Sequence, residues 1–220
     1  LMTRSKRITW DELEQRDPGL FAKNVATTKY EDLAFLCYTS GTTGFPKGAM
    51  LSFRNFLSMA ANLMEVDNKF EKDEFVSFLP LAWIGEQMMC LSSALLTGFT
   101  VNFPEKPETV QENIREIGPT IMFSPPRIWE NMTSTVQVKV MDASALKRRM
   151  YNWALPVGYA YSDAVFRKEA IPPLLRLKQR LAYALVFRAL KDRLGLLRIR
   201  SASTALEPIR RHPLYRALRP

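Results

Sequence analysis

The sequence predicts an α/β fold in which helices and strands are layered, and two patterns carry that prediction. Over the first two thirds of the chain, short apolar runs alternate with amphipathic stretches of helical spacing. Beyond Asp142 the pattern changes to long helical runs, which predicts a helix-rich insert in the last third. With 220 residues, of which 47% are hydrophobic, the chain is long enough to bury a substantial core.

The first predicted elements surround a segment rich in glycine and threonine. A buried strand is expected at residues 34–38, followed by a loop at 39–48 and a second short strand at 49–51. Ser52 has the side chain of a helix N-cap, so a helix is predicted from there to Val66. The sequence therefore places a long polar loop between two strands.

The middle of the chain predicts a β, α, β, α, β succession. Gly98 and Gly118 mark the ends of its two helices, because glycine commonly ends a helix. The predicted strands are residues 75–79, 100–103 and 120–124, and the predicted helices are 86–96, 110–117, 145–160 and 174–194.

Charge is distributed unevenly along the chain. The net charge is +9, from 31 Lys and Arg against 22 Asp and Glu. Residues 1–141 hold 14 basic and 17 acidic side chains, a net charge of −3, whereas residues 142–220 hold 17 and 5, a net charge of +12. Such a bias says more about partners than about the fold, and it points to an anionic partner for the last third.

Cysteine and histidine usage excludes several kinds of site. Cys37 and Cys90 lie far apart in apolar surroundings, which argues against a disulfide framework and a cysteine zinc site. The only histidine, His212, excludes a multi-histidine metal centre and disfavours a histidine triad. We expect a reducing, cytoplasmic location without a signal peptide or a transmembrane helix, with peripheral contact to a membrane as an added expectation.

The predicted helix at 174–194 leaves two interpretations open. Its apolar residues recur at helical spacing, and its basic residues lie largely on other faces. One interpretation is an ordinary amphipathic surface helix, and the other is contact with an anionic membrane surface. Specific nucleic-acid recognition is not indicated, because no nucleic-acid motif accompanies the basic residues. The apolar positions are Leu177, Leu181, Ala184, Leu185 and Ala189, and the basic ones are Arg176, Lys178, Arg180, Arg188, Lys191 and Arg193.

The loop itself has the composition of a polyphosphate-binding segment. It reads Tyr38-Thr39-Ser40-Gly41-Thr42-Thr43-Gly44-Phe45-Pro46-Lys47-Gly48. Its glycines allow close backbone approach, its hydroxyls can donate hydrogen bonds, and Lys47 adds a positive charge. It is not a Walker loop, in which lysine directly follows glycine and precedes serine or threonine. By composition alone, a flexible connection between two strands is the other interpretation.

The ordered string resembles the phosphate-binding motif of the adenylate-forming superfamily, and the chain is most similar to long-chain fatty acid CoA ligases. This resemblance runs through nearly the whole chain and is strongest between residues 30 and 131. The further segments that carry it are residues 30–34, 79–87, 118–120, 125–130, 185–187, 194–195 and 201–206.

The resemblance implies a reaction and a set of site residues. Family enzymes use ATP and Mg²⁺ to convert a carboxylic acid into an acyl-adenylate, and then transfer the acyl group to coenzyme A. By resemblance Lys47 is catalytic, Thr39 also lies near Mg²⁺, and Trp83 lies beside the long-chain fatty acid. The residues that would bind the phosphates are Thr39, Ser40, Gly41, Thr42, Thr43, Gly44, Lys47 and Gly48.

The resemblance also implies that the chain is an internal fragment of the large N-terminal domain of such an enzyme. Residues 1–29 would be a lead-in, residues 30–141 the phosphate loop and acyl-pocket region, and residues 142–220 a basic helical region that returns to the sheet. The C-terminal domain with its catalytic lysine would be absent, so we expect the fragment to be inactive alone. The alternative is a truncated, non-catalytic module that binds acyl lipid or an anionic membrane surface.

Overall fold

An antiparallel hairpin and a four-stranded parallel sheet are the two sheets of the described residues. The computed structural model describes residues 10–39 and 45–204. The chain forms two units, one of residues 1–58 and the other of residues 59–220. His212 and the end of the 201–206 segment lie outside the described residues.

The first unit contains two short helices and the hairpin. Its elements are α1 (Trp10–Arg16), α2 (Leu20–Thr27), β1 (Leu33–Thr39) and β2 (Lys47–Ser52). Both predicted strands are confirmed, and each extends further toward the loop than predicted. The two strands pair in antiparallel register up to Thr39 and Lys47, so the connection between them is shorter than the predicted loop.

The prediction that residues 34–38 form a buried strand is wrong in its burial. Leu36 and Tyr38 are 50% and 69% exposed, although their neighbours Phe35 and Cys37 are partly covered. Successive side chains of a strand point to opposite faces, and a two-stranded sheet covers few of them. A continuous apolar run therefore predicted the strand correctly and its environment incorrectly.

The helix that follows β2 begins where the sequence predicts. Helix α3 (Phe53–Val66) starts directly after Ser52, whose hydroxyl accepts a hydrogen bond of 3.3 Å from the Asn55 backbone N–H. In return, the Asn55 Oδ1 accepts the Ser52 backbone N–H at 3.0 Å. This reciprocal cap satisfies backbone groups that the first turn of a helix otherwise leaves unpaired, and it confirms Ser52 as the N-cap.

The second unit is built on the parallel sheet. Its strands are β3 (Glu74–Val76), β4 (Thr100–Asn102), β5 (Ile121–Phe123) and β6 (Ser201–Ser203), in the spatial order β4-β3-β5-β6. All three strand pairs are parallel, which confirms the predicted α/β succession.

Helices connect and cover these strands. A helix that was not predicted, Pro126–Met141, follows the proline pair after β5. The helices are α4 (Ile84–Gln87), a π-helical turn (Met88–Ser93), α5 (Ala94–Thr97), a 3-10 turn (Pro107–Thr109), α6 (Val110–Ile117), α7 (Pro126–Met141), α8 (Ala145–Phe166), α9 (Pro173–Ala182), a second π-helical turn (Tyr183–Phe187) and α10 (Arg188–Leu194). No described helix is both long enough and apolar enough to span a membrane.

The two faces of the sheet bury separate cores. Val76 and Met122 point into a core that includes residues of α6 to α10, among them Trp129 and Phe187. Phe75, Ile121 and Phe123 point to the opposite face, where they pack with Met88, Met89, Cys90 and Phe99. Because alternate strand residues lie in different cores, helices cover the sheet on both sides, as expected for a parallel sheet.

The apolar stripe of the predicted 174–194 helix does not pack on the core. Leu177, Leu181 and Leu185 are 55%, 48% and 56% exposed. The buried side of the same helical run includes Gln179, Ala182, Phe187 and Lys191. Helical periodicity fixes which residues share a face and not which face is buried, and here the face that carries the leucines is largely exposed.

Gly195 ends α10 at a point of close backbone contact. It has a φ of +72°, and a Cβ at this position would lie 2.5 Å from the carbonyl oxygen of Ile114 in α6. Gly98 ends α5 with a similar φ of +76°, but a Cβ there would meet only the Glu71 side chain at 3.6 Å. The two glycines thus share a backbone conformation and differ in the room around them.

We expect Gly195→Ala to lower the free energy of unfolding by about 3 kcal/mol or more, since it adds a backbone clash to the left-handed conformation. The matched variant Gly98→Ala carries only the conformational cost, roughly 1 to 2 kcal/mol. Urea denaturation of both variants measures the difference. Equal losses would show that α6 and α10 move apart easily.

Candidate active site

The predicted phosphate loop begins and ends at the open end of the hairpin. Thr39 is the last residue of β1 and lies opposite Lys47, the first residue of β2. The pairing of these strands brings the two ends of the loop together. Lys47 is exposed, as a residue that binds a soluble polyphosphate must be. Ser40, Gly41, Thr42, Thr43 and Gly44 and the side chain of Thr39 lie outside the described residues.

Gly48 packs against an aromatic ring of the opposite strand. Tyr38 is its register partner, and a Cβ at Gly48 would lie 3.4 Å from the Tyr38 ring. The absence of a side chain at Gly48 therefore leaves room for this ring directly beside the loop. Among the residues predicted to bind phosphate, the structure thus describes Lys47, Gly48 and the backbone of Thr39.

Trp83 lies in a turn in the second unit, between β3 and α4. Its backbone N–H donates to the Pro80 carbonyl at 2.9 Å, and its own carbonyl accepts the N–H groups of Glu86 and Gln87 at 3.1 and 3.2 Å. The Gln87 side chain also donates to the Leu81 carbonyl at 2.6 Å. These bonds fix the turn, while the Trp83 side chain remains 49% exposed and able to contact a ligand.

The turn is held close to the sheet by Gly85. A Cβ at Gly85 would lie 2.7 Å from the Phe123 ring of β5, a distance that no side chain tolerates. The first turn of α4 therefore approaches the carboxyl end of β5 directly. This approach places the next residue, Glu86, in the interior.

Glu86 is a fully buried carboxyl group near the carboxyl edge of the sheet. Burial raises its pKa to about 7, and the Ser77 hydroxyl and the Leu79 backbone N–H offset only part of that rise. Among the described residues, neither carboxyl oxygen of Glu86 has a hydrogen-bond partner of good geometry. The neighbouring Cys90 thiol also has a raised pKa, because it is buried and close to the Glu86 charge, although a hydrogen bond with Ser77 opposes the shift.

Further hydroxyl groups follow the strands at the same edge. Ser77 comes directly after β3 and Ser124 directly after β5, and both are buried. The Ser124 backbone N–H donates to the Ser203 carbonyl of β6 at 3.2 Å, whereas its hydroxyl has no hydrogen-bond partner in the part of the chain that the structure describes. In open parallel sheets, ligands bind outside the carboxyl ends of the strands, so this polar edge is the candidate site of the second unit.

The amino edge of the sheet is closed by charge pairs that the sequence did not predict. Asp73 accepts hydrogen bonds from Arg200 (2.5 Å), Thr120 (2.7 Å) and the Phe70 backbone N–H (2.8 Å). Burial alone would raise the pKa of Asp73, but these hydrogen bonds, led by that from Arg200, lower it. Each of Asp73, Thr120 and Arg200 stands directly before a strand, which is the only trace of the cluster in the sequence.

A second carboxylate holds β6 along its length. The Asp67 Oδ2 accepts hydrogen bonds from Lys69 (2.5 Å), Ser201 (2.5 Å) and Ser203 (3.3 Å). Burial opposes the ionised form, and the hydrogen bonds from Lys69 and Ser201 outweigh it, so that the pKa of Asp67 is lowered. Within residues 10–39 and 45–204, no group of three or more acidic, cysteine or histidine side chains is arranged to hold a metal ion.

In the unchanged protein we expect the free energy of unfolding to fall as pH rises, and we expect Glu86→Gln to abolish this fall. The folded pKa of about 7 exceeds the ordinary value of 4.5, so between these pH values the folded state alone retains the proton. The free energy of unfolding should therefore fall by at most about 3 kcal/mol from pH 4.5 to 7 and stay lower above it. Chemical denaturation at several pH values, with the exposed Glu65→Gln as control, measures this difference. A constant offset between the two variants at all pH values would contradict it.

Comparison with known sequences gives matches over most of the chain. A sequence model of the AMP-binding enzyme family matches residues 2–194. The long-chain-fatty-acid–CoA ligase ACSBG2 of Rattus norvegicus is 32% identical over 180 residues, which cover 78% of this chain and 26% of that protein. The peroxisomal long chain acyl-CoA synthetase 6 of Arabidopsis thaliana is 30% identical over 184 residues, which cover 82% and 24%. The chain thus spans about a quarter of the length of these relatives.

Two solved structures share the fold. The adenylation domain of a carboxylate reductase from Mycobacterium chelonae has a TM-score of 0.51 and 20% identity, covering 86% of this chain and 26% of that chain. The A-PCP didomain of carboxylic acid reductase from Segniliparus rugosus, in complex with AMP, has a TM-score of 0.50 and 23% identity, covering 87% and 23%. At this level of identity the likeness concerns the fold alone, and it confirms the α/β architecture.

Proposed function

This chain belongs to the AMP-binding enzyme family, and we propose that it is part of an enzyme that activates a long-chain fatty acid. The observation that carries the proposal is the family match over residues 2–194, together with relatives named as fatty-acid–CoA ligases at about 30% identity. Because the chain spans only about a quarter of those relatives, we propose the activity for the full-length protein and not for these 220 residues alone.

The proposed reaction has two steps. In the first, a carboxylate oxygen of the fatty acid attacks the α-phosphorus of ATP, and the bond to the departing pyrophosphate breaks. In the second, the sulfur of coenzyme A attacks the acyl carbon, and AMP leaves with its oxygen. Adenylation is needed because a carboxylate is a poor electrophile, and the negative charge of the departing pyrophosphate requires stabilisation.

The hairpin supports a role for the loop in that stabilisation. Pairing of Thr39 with Lys47 brings the two ends of the loop together, and the sequence between them supplies hydroxyl and backbone N–H groups. The exposed Lys47 adds a cation at the point where the loop ends. Such donors together with one lysine fit a polyphosphate by their chemistry. We assign the β and γ phosphates of ATP to residues 39–44, Lys47 and Gly48.

Mg²⁺ would bind mainly through the phosphates of ATP in this proposal. Magnesium commonly combines a few protein ligands with substrate phosphates, and an uncharged hydroxyl such as that of Thr39 is a fitting ligand. When bound, the ion would neutralise part of the phosphate charge. Trp83, whose half-exposed ring lies in the turn before α4, would line the acyl site.

We expect Lys47→Ala in the full-length protein to lower fatty-acid-dependent exchange of pyrophosphate into ATP by roughly 10²- to 10³-fold, because a preorganised charge is lost. Lys23→Ala removes an exposed lysine from α2 and serves as the control. Exchange assays with radiolabelled pyrophosphate measure both variants. Equal rates for Lys47→Ala and Lys23→Ala would overturn the assignment of the loop.

We also propose that the protein is cytoplasmic and contacts an anionic membrane surface through the stripe of exposed leucines on α9 and the turn after it. Leu174, Leu177, Leu181 and Leu185 are all about half exposed or more. Exposed basic residues flank them, including Arg176, Lys178, Arg180 and Arg188. An apolar stripe bordered by cations is typical of helices that lie in a membrane interface, where both contributions add.

We expect the double variant Leu177→Ser with Leu181→Ser to reduce co-sedimentation of the full-length protein with vesicles of phosphatidylcholine and phosphatidylserine by about tenfold. The exposed Leu95 and Leu146, changed to serine together, form the matched control. Binding by the unchanged protein should also fall with added salt, because the cations are screened. Binding that ignores both salt and anionic lipid would refute the proposal.

A further inference from the structure

A cavity of about 480 Å³ lies between α6, α7 and α10 on one face of the parallel sheet. Its volume is within the range of about 300 to 1,000 Å³ that is usual for ligand pockets. Trp83, the residue of this unit that is assigned to the acyl group, does not line it. The cavity is therefore distinct from the acyl position assigned to Trp83.

The floor of the cavity is apolar. Ile114, Met132, Val136 and Leu194 line it and are each less than a tenth exposed. Phe78 is the aromatic residue of the lining, and Gln111, Asn131 and Thr135 are its uncharged polar residues. A single ring cannot sandwich a base or a sugar, and the branched side chains and the flexible methionine of the floor suit an aliphatic chain. The floor therefore selects for a flexible hydrocarbon.

The rim of the cavity carries an excess of positive charge. Lys139 of α7 and Arg193 of α10 line it and are exposed, with Glu108 as the acidic residue of the rim. Neither cation forms an ion pair within residues 10–39 and 45–204. A guanidinium can hold a carboxylate through two parallel hydrogen bonds, and an ammonium adds a point charge. The rim therefore complements a single carboxylate group.

We propose that this cavity is a second fatty-acid site, in which the hydrocarbon chain fills the apolar floor and the carboxylate binds Lys139 and Arg193. The choice of a fatty acid among aliphatic anions rests on the proposed function, since that is the acid the enzyme would meet. In this proposal the site holds the acid without activating it. It is thus a storage or regulatory site.

The test is a titration of the full-length protein with dodecanoate, below its micelle concentration and without ATP, followed by calorimetry and by NMR of the ¹³C-labelled carboxyl carbon. We expect two equivalents to bind. In Lys139→Glu with Arg193→Glu, affinity for one equivalent should fall on the order of tenfold or more. Lys147→Glu with Arg149→Glu makes the same change of net charge on α8, outside the cavity, and should bind as the unchanged protein does.

A second pair of variants tests the cavity by volume and not by charge. Thr135 is exposed and lines the cavity, whereas Ser134 is exposed on the same helix and does not line it. Because neither side chain is buried, both positions accept a larger residue without disturbing the core. Thr135→Trp should abolish one equivalent, and Ser134→Trp should retain both. Identical titrations for these two variants would overturn the proposal.

Exchange of pyrophosphate into ATP, measured on the same samples, separates this inference from the proposed function. If fatty acid supports pyrophosphate exchange but the cavity variants bind dodecanoate as the unchanged protein does, only the second site is overturned. If one equivalent of dodecanoate binds in a way that depends on Lys139, Arg193 and Thr135, but no pyrophosphate exchange occurs, the second site is supported and only the proposed function is overturned.

Discussion

The Asp73 carboxylate joins three of the four strands of the parallel sheet at their amino ends. It stands directly before β3, and it accepts hydrogen bonds from Thr120, before β5, and from Arg200, before β6. Thr120 also accepts the Glu74 backbone N–H on its hydroxyl at 2.8 Å, so side-chain and backbone pairing share one network. Asp73 is buried whereas Arg200 is partly exposed, and a buried acceptor that loses a hydrogen-bond partner typically costs about 1 to 3 kcal/mol. Short strands of three residues depend on this network, because their own ladders contain few hydrogen bonds.

The difference between the two edges of the sheet locates the candidate site. At the amino edge, the ionised carboxylates of Asp67 and Asp73 have strong partners within the chain, and their pKa values are lowered accordingly. At the carboxyl edge, Glu86 and Ser124 are buried without good hydrogen-bond partners, and the pKa of Glu86 is raised. Unsatisfied buried polar groups are rare in folded proteins and are concentrated where strain or function retains them. The polarity left at the carboxyl edge therefore agrees with the general location of ligands in open α/β folds.

The sequence predicted the elements well where local chemistry determines them. The Ser52 cap and the glycines that end α5 and α6 have local signals, and they lie where expected. Burial was less predictable, since the apolar run of β1 and the leucine stripe of α9 turned out to be largely exposed. A pattern specifies which side chains share a face, whereas the tertiary fold decides what covers that face. Helix α7 was not predicted, although a proline at the first position of a helix is common.

The residues of the candidate site also divide into those that local sequence predicts and those that only the tertiary fold brings together. The phosphate loop and Trp83 were predicted from motifs, because their residue types are needed in a fixed order along the chain. The Asp73, Thr120 and Arg200 cluster was not, because its members lie as far as 127 positions apart and meet only when the strands align. Glu86 is an intermediate case, since its segment was identified but its burial follows from the close contact between Gly85 and Phe123.

The basic residues of the second unit gain a physical meaning from the surfaces that they border. In the leucine stripe, cations flank an exposed apolar row, and at the cavity Lys139 and Arg193 flank an apolar floor. Both arrangements favour a ligand that combines an anionic group with hydrocarbon. For the leucine stripe that ligand is a membrane surface, and for the cavity it is a single molecule. Fatty acids partition into membranes, so an enzyme held at an anionic surface meets its substrate at a raised local concentration. The proposed cavity site would then hold the fatty acid on the protein after the acid leaves the bilayer.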